Sequence, residues 1–374
     1  MAKQTVTYVF LFFLTCLKLH AQDISGDNGF RFSGQVSAWG AFTPDADSRF
    51  WLGGRYIPQI NYGIHLPKER LIDFEASANA YGDLGFDRNA SEEDVKFYRL
   101  WVRYSTARSQ LRFGLQKINF GSAQFFRPLM WFDKIDPRDP LQMTDGVWGG
   151  LYRYYFRNNA NIWVWVLAEN DKTKGWETSP TVGKLRPEAG GRIEIPLPFG
   201  ETALSYHYRE TEFMFVGKLP ENKFGFDIRV DVEVGLWLES SWIHYGKNLG
   251  AETNHQMLTF GGDYTFSIGN GLGIMAEHLV YTRGRNYVTF RNDEHFSGLR
   301  LSYPLPGFYN ISGLAAYDWD KDRFYNFINV EKQLGNFTFY AMGFWNPANY
   351  NIPGQTNSNH FAGKGIQLMA VWNY

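Results

Sequence analysis

The chain has one cysteine, Cys16, and it falls in the N-terminal stretch rather than the body of the protein. Lys3 precedes the apolar run Val6–Leu14, and Leu19-His20-Ala21 stands before Gln22. A charged start, a short apolar core and a small residue at the break read as a secretory signal peptide over 1–21, cleaved near Ala21. Thr15 stands where a lipid-modified cysteine has a Gly, Ala or Ser neighbour, which argues against an anchor at Cys16. With the leader removed, residues 22–374 hold no cysteine, so disulfides, thiol catalysis and Cys-ligated zinc are excluded.

Long apolar runs are also missing: past the leader nothing approaches the roughly 20 residues that a spanning helix needs. Charge of one sign is missing as well. Lys3 and Lys18 leave with the leader, so 37 basic residues become 35 against 38 acidic ones, a net charge of −3. That balance does not suit a polyanion, and nucleic acid is not expected as a partner. Enzyme signatures are absent, with no His-Glu-x-x-His, Gly-x-Ser-x-Gly or Walker loop. Gly269-Asn270-Gly271-Leu272-Gly273 imitates a dinucleotide fingerprint but precedes no helical pattern, and Asn270-Gly271 reads as a tight hairpin turn. Asp318–Asp322 imitates the start of an EF-hand loop. Arg323 takes the place of its glycine and Asn329 that of its bidentate glutamate, so a solvated turn is expected. The histidines form no triad visible in the sequence. No metal or cofactor is expected, and the chain is expected not to be an enzyme. A barrel hydrolase would need a Ser–His pair on adjacent strands at a lipid-facing interface, and nothing in the sequence marks one.

What the chain does have is aromatic residues, 18% of the total, under a negative mean hydropathy. It also has period-2 alternation, as in Phe226–Val234, Ala203–Arg209 and Arg192–Ile195, the signature of strands with one polar and one apolar face. About 18 such segments follow one another, joined by linkers that alternate short and long. Short linkers fall at 67–70, 106–108, 158–160, 198–200, 268–271 and 333–336. Long ones fall at roughly 83–93, 121–146, 170–187, 212–222, 283–294 and 347–363 (boundaries good to a few residues). Short turns on one side and long loops on the other describe an all-β, transmembrane antiparallel barrel, with periplasmic turns and external loops. A soluble sandwich has no reason to keep that parity. Residues 22–374 are therefore expected to be one barrel, with a loop of about 118–146 folding inward. Trp51, Tyr104, Trp176, Tyr245 and Trp345 are read as interfacial girdle residues. The last strand alternates Ile366, Leu368, Ala370 and Trp372 with polar and small residues and ends on Tyr374, a terminus that the barrel-assembly machinery is expected to read.

Arginines mark the candidate site. In Val95–Tyr104, one face carries Tyr98, Leu100, Val102 and Tyr104, and the other Phe97, Arg99, Trp101 and Arg103. A cation facing lipid at mid-bilayer costs about 2–4 kcal/mol, so the arginine face should be lumenal. Arg112 with Gln116, and Arg153 with Arg157, fall on lumenal faces by the same test, giving a basic wall on three consecutive strands. These arginines either pair with lumenal acids such as Asp227, Asp231, Glu194 and Glu233 or bind carboxylate or phosphate on a solute. The loop between the second and third of these strands carries Arg127, Asp133, Asp136, Arg138 and Asp139 among Phe, Trp and Pro, a mixture suited to a constriction.

Arg112-Phe113-Gly114-Leu115-Gln116-Lys117-Ile118-Asn119-Phe120-Gly121, followed by the run to Asp136-Pro137-Arg138-Asp139, resembles the R-x-G-x-Q-x-x-x-x-G … P-x-D stretch of porin-like outer-membrane barrels. These include the alginate-export type and related proteins. The match covers about a tenth of the chain, and Phe120 stands where many relatives have tryptophan. The resemblance implies a monomeric barrel, embedded in outer-membrane lipid, that passes small-molecule or oligosaccharide solutes. On this reading the protein is a diffusion channel biased toward anionic solutes by its arginines. A non-conducting scaffold of a surface assembly or secretion complex is the alternative.

Overall fold

Alternation places an apolar residue toward one side of a strand and a polar residue toward the other, and closing the sheet leaves no edge unpaired. The computed structural model describes residues 29–44, 48–87, 90–170, 172–177, 186–213, 216–286, 293–348 and 361–374. It consists of one antiparallel 18-stranded sheet whose first and last strands pair. The strands are β1 (Gly29–Phe42), β2 (Phe50–Leu66), β3 (Arg70–Gly85), β4 (Ala90–Ser105), β5 (Ser109–Gln116) and β6 (Val147–Tyr155). Then follow β7 (Asn161–Leu167), β8 (Glu188–Leu197), β9 (Gly200–Phe213), β10 (Gly217–Asp231), β11 (Gly235–Tyr245) and β12 (Asn254–Phe266). The circuit ends with β13 (Leu272–Gly284), β14 (Glu294–Leu305), β15 (Tyr309–Asp318), β16 (Arg323–Leu334), β17 (Phe337–Trp345) and β18 (Lys364–Asn373). The closing register runs from Gln35↔Asn373 to Phe42↔Ile366, and Gly34 and Tyr374 exchange backbone bonds of 3.0 and 3.1 Å. The expected leader, 1–21, lies outside the described residues.

Connections after even-numbered strands are turns of a few residues, and the long connections all lie at the opposite end. Two linkers expected to be long are not. Across 83–93 the strands continue to Gly85 and resume at Ala90, and across 212–222 they continue to Phe213 and resume at Gly217. The cause is physical. The outward positions Glu210, Glu212, Lys218 and Asn222 stand toward the long-loop ends of β9 and β10, beyond the outward apolar band, so the alternation fades while the ladder persists.

Outward positions carry a band of exposed apolar side chains, among them Phe113, Val164, Ile193, Leu204, Leu236, Phe260, Leu299 and Leu368. Tyr104 and Trp345 belong to this outer surface, whereas Trp176 and Tyr245, expected in the girdle, are buried on the inside. The core of the molecule lies within the barrel: residues 118–135 pack against the inner faces of β7 and of β10 to β16. Two wall glycines make the sockets. A Cβ on Gly225 would stand 2.5 Å from Leu129 Cδ2, and one on Gly298 would stand 2.7 Å from Phe125 Cδ2.

Candidate functional site: a docked loop and a basic wall

The connection between β5 and β6 enters the barrel at once. Phe120 stacks on Trp165 of β7, 6.0 Å between ring centroids, and Phe132 meets His207 of β9 edge-on at 5.1 Å. A loop in this position buries its backbone amides, and each must find a partner. Two wall carboxylates supply them. Glu239 of β11 accepts from the amides of Ala123 (3.0 Å) and Leu129 (2.7 Å). Glu277 of β13 accepts from Gln124 (2.6 Å), Phe125 (2.9 Å) and Phe126 (2.9 Å). Thr259 donates to the Phe126 carbonyl at 2.8 Å, and the Trp131 indole donates to Ser241 Oγ at 3.0 Å. The loop then swings to β16–β18, where Leu141 packs on Phe327, Met342 and Phe344. It returns to β4 through Arg99, whose Nη2 donates to the Thr144 carbonyl at 3.1 Å.

The loop neutralises its own charges. Asp136 receives Arg138 through Nε (2.9 Å) and Nη2 (2.6 Å), and the Arg138 guanidinium lies 4.9 Å from the Phe361 ring. Arg127 donates to Asn119 Oδ1 and stands 3.6 Å from Asp133. Burial pushes the Asp133 carboxyl up, against the pull of Arg127 and Lys117. Asp139 accepts the amides of Leu141 (2.9 Å) and Met143 (3.1 Å), closing a turn.

A second connection folds in beside the first. Lys174 and Glu177, between β7 and β8, join Glu188, Arg209, Glu221 and Lys223 in a buried network. Arg209 Nη2 meets Glu221 at 2.7 Å and its Nη1 meets Glu177 at 3.1 Å, while Lys223 meets Glu177 at 2.6 Å and Lys174 meets Glu188 at 3.2 Å. Three cations face three anions, so the network closes without net charge. Trp176 crosses to donate to the Arg127 carbonyl at 2.8 Å, joining the two loops.

The basic wall lies toward the short-turn end. Arg103 of β4 sits opposite Arg112 of β5, and Gln110 of β5 sits opposite Arg153 of β6. Arg103 forks onto Asp73, with Nε at 2.8 Å and Nη2 at 2.5 Å. Arg112 lies 4.6 Å above the Trp101 ring and Arg153 lies 3.6 Å above Trp163. Arg153 also hydrogen-bonds Tyr155. Among the described residues neither Arg112 nor Arg153 has a carboxylate within ion-pair distance; Asp73 and Glu75 act on Arg112, and Glu194 on Arg153, only at longer range. Gln116 is fully buried and donates to the Gly149 carbonyl at 3.0 Å. Of the acids named as partners, Asp227 and Glu194 are paired with Arg192 and Asp231 with Arg229, while Glu233 stands exposed in the turn between β10 and β11.

Two expected placements change. Arg157 lies past the end of β6 in the exposed turn, so it does not belong to the wall. Phe97 faces outward, 64% exposed, because the register slips where Ser77 pairs with Arg99 and Ala78 with Phe97. Tyr98 is the bulged residue, and its hydroxyl turns inward to Met143 Sδ at 3.8 Å. One extra residue reverses every face beyond it. Glu239 and Glu277 went unmarked in the sequence. Their one signal is an acid at an inward position with no base across the ladder: Glu239 faces Asp227 and Thr259, and Glu277 faces two glycines, Gly261 and Gly298.

No protein-family model and no curated protein matches the chain. Solved structures do. The Pseudomonas aeruginosa protein OccD3 (OpdP) aligns with a TM-score of 0.58 at 11% identity, covering 94% of this chain and 95% of that one. Acinetobacter baumannii OccAB4 aligns with a TM-score of 0.57 at 8% identity, over 94% and 99% of the two chains. An anion-selective porin from Comamonas acidovorans aligns at 0.50 and 13% identity, over 93% and 100%. The fold is thus that of porin barrels along nearly the whole chain.

Proposed function

We propose that the chain is an outer-membrane channel for small anionic solutes, narrowed by the docked loop 117–146 and biased in charge by Arg103, Arg112 and Arg153. The outward apolar band is the lipid-facing surface, the short turns are periplasmic and the long loops external, as in bacterial barrels of this plan. A secretory leader over 1–21 and a last strand ending on Tyr374 fit export and handover to the barrel-assembly machinery. The observation that carries the reading is the state of Arg112 and Arg153. Both guanidiniums lie on tryptophan faces inside the barrel with no carboxylate partner among the described residues. A fixed cation without a directly paired carboxylate beside a water path raises the local concentration of anions and lowers that of cations. Flat guanidinium forks held on rings also suit carboxylate groups. The alginate-export resemblance makes an acidic oligosaccharide one solute that fits this wall, beside small carboxylates. The docked loop, with Arg127, Asp133, Asp136, Arg138 and Asp139, sets width rather than charge, since four of these form pairs within the loop.

Conductance in a planar bilayer under a salt gradient tests the proposal. The reversal potential should show anion preference, and Arg112→Gln with Arg153→Gln should move it toward zero. A record without conductance under any voltage would favour the scaffold reading. Unchanged selectivity in the double variant would remove the arginines from the mechanism.

A further inference from the structure

The fold brings two histidines to one serine on the outer surface of the barrel wall. His278 of β13 stands directly opposite Ser297 of β14, and one step toward the long-loop end Val280 stands opposite His295. Their side is outward. His278 shares its face with Phe260, 51% exposed, and Ser297 shares its face with Leu299, 42% exposed, while the alternating Glu277 and Phe296 are buried inside. His278 Nδ1 lies 2.9 Å from Ser297 Oγ, and His278 Nε2 lies 3.3 Å from His295 Nδ1. The Trp319 indole N–H donates to the same Ser297 Oγ at 2.9 Å, and Asp320 Oδ2 accepts the His295 amide at 2.7 Å. These partners set the direction of the chain. With Trp319 donating to Oγ, the serine hydroxyl is free to donate to Nδ1, which leaves the His278 proton on Nε2, aimed at His295.

A nucleophile bonded to a base, and a base bonded to an orienting group, is the arrangement that activates a serine hydroxyl. Its setting selects the substrate. Tyr317, Trp319 and Phe324 form an aromatic collar around the pair, with ring centroids 4.8 and 4.4 Å apart, and Trp319 and Phe324 are about three-fifths exposed. Such collars lie where lipid headgroups meet acyl chains. Toward mid-barrel, Leu299 stands between Ala276 and Ala315 on the same outer face, a low stretch of wall on which an acyl chain can lie.

We propose that Ser297 and His278 form an acyl-ester hydrolase centre that acts on membrane lipids from the outer face of the barrel. Ser297 Oγ attacks the ester carbonyl carbon as its proton passes to His278 Nδ1. As Oγ bonds to carbon and gives up its lone pair, the Trp319 N–H that donated to it turns to the carbonyl oxygen, which takes the negative charge. The carbon–alkoxy bond then breaks, and the leaving glycerol oxygen takes the proton back from Nδ1. Water, deprotonated by His278, cleaves the acyl-serine and releases a fatty acid, which restores both residues. His295 is a positioning residue: it holds the ring and its tautomer. This activity is independent of conduction through the lumen.

The test uses the full barrel in mixed micelles of phospholipid and detergent, with a fluorophosphonate probe and an assay of released fatty acid. Wild-type protein should carry one phosphonyl group, located at Ser297 by mass spectrometry, and should release fatty acid. Ser297→Ala should abolish both, and His278→Asn should slow labelling by roughly 10²–10⁴-fold, the usual size of general-base catalysis. His295→Gln should lower kcat and leave KM unchanged. Heat-shifted migration on gels verifies that each variant is folded. Folded wild-type protein that takes no label at Ser297, or hydrolysis that survives in Ser297→Ala, would overturn the proposal.

Discussion

Replacing both Glu239 and Glu277 by glutamine should loosen the loop without releasing it. Five backbone amides donate to these carboxylates, at 2.6 to 3.0 Å. Each carboxylate accepts through both oxygens, whereas a glutamine offers one acceptor oxygen and one NH2 donor, so at least two of the five buried amides lose their partner; at about 1–3 kcal/mol for each, the double variant weakens docking by roughly 2–6 kcal/mol. Against that stand Phe126, Leu129, Met130, Trp131 and Phe132, all buried to within a few per cent. At roughly 1.5–3 kcal/mol for each such side chain, their burial contributes about 8–15 kcal/mol. Docking therefore persists on average, while the undocked population rises by roughly one to four orders of magnitude, since about 1.4 kcal/mol is tenfold. Two assays read this. Cleavage by trypsin after Lys134 and Arg138 should accelerate, because slow proteolysis follows the open population. Single-channel records should gain brief, large openings at unchanged ion selectivity. If both the cleavage rate and the current match wild type, the carboxylates do not hold the loop and the reasoning fails.

Filling a socket should displace the loop by contact alone: Gly225→Val places side-chain atoms where Leu129 and Trp131 now lie, and conductance should rise. Arg192 is held by Asp227 at 2.5 Å and Glu194 at 3.2 Å inside the barrel, so Arg192→Met strands two acids and should cost about 3–5 kcal/mol, read as a lower urea midpoint in micelles. Phe97→Arg tests the bulge on β4. Facing lipid near the middle of its strand, it should cost about 2–4 kcal/mol in the same assay, and a cost near zero would return Phe97 to the lumen.

Much of the barrel is legible in the sequence because an apolar outer face and a polar inner face force a two-residue period along each strand. Of the alternating run Phe226–Val234, Phe226–Asp231 lies within β10, while Val232–Val234 form the turn to β11; Gly269-Asn270-Gly271 forms the turn between β12 and β13. Legibility stops where the forcing stops. At the tips of β9 and β10, Glu210 and Lys218 face outward beyond the apolar band, and the strands continue past the point where the pattern ends. The bulge at Tyr98 leaves no mark either, since Phe97 and Tyr98 are both plausible on either face. Site geometry is harder still. The bonds from the loop to Glu239 and Glu277 join residues 110 to 153 positions apart, and His278 meets Ser297 only through the register of β13 and β14. No local spacing encodes such pairs.

In the proposed channel, width and charge selectivity would be handled by different parts of the barrel. The loop satisfies its amides on β11 and β13, seats its side chains in glycine sockets on β10 and β14, and cancels its charges in the pairs Arg127–Asp133 and Asp136–Arg138. It therefore contributes little field of its own. The cations without a directly paired carboxylate stay on β5 and β6, at Arg112 and Arg153, toward the short-turn end. Perturbations of the two parts should accordingly combine independently, because sites with no shared partner are additive to within about 0.5 kcal/mol. A quadruple variant, Glu239→Gln, Glu277→Gln, Arg112→Gln and Arg153→Gln, should open as often as the first pair and select as weakly as the second. Selectivity that depends on the state of the loop would mean that solutes meet Arg127 or Asp133 on their way, and that the loop pairs open during passage.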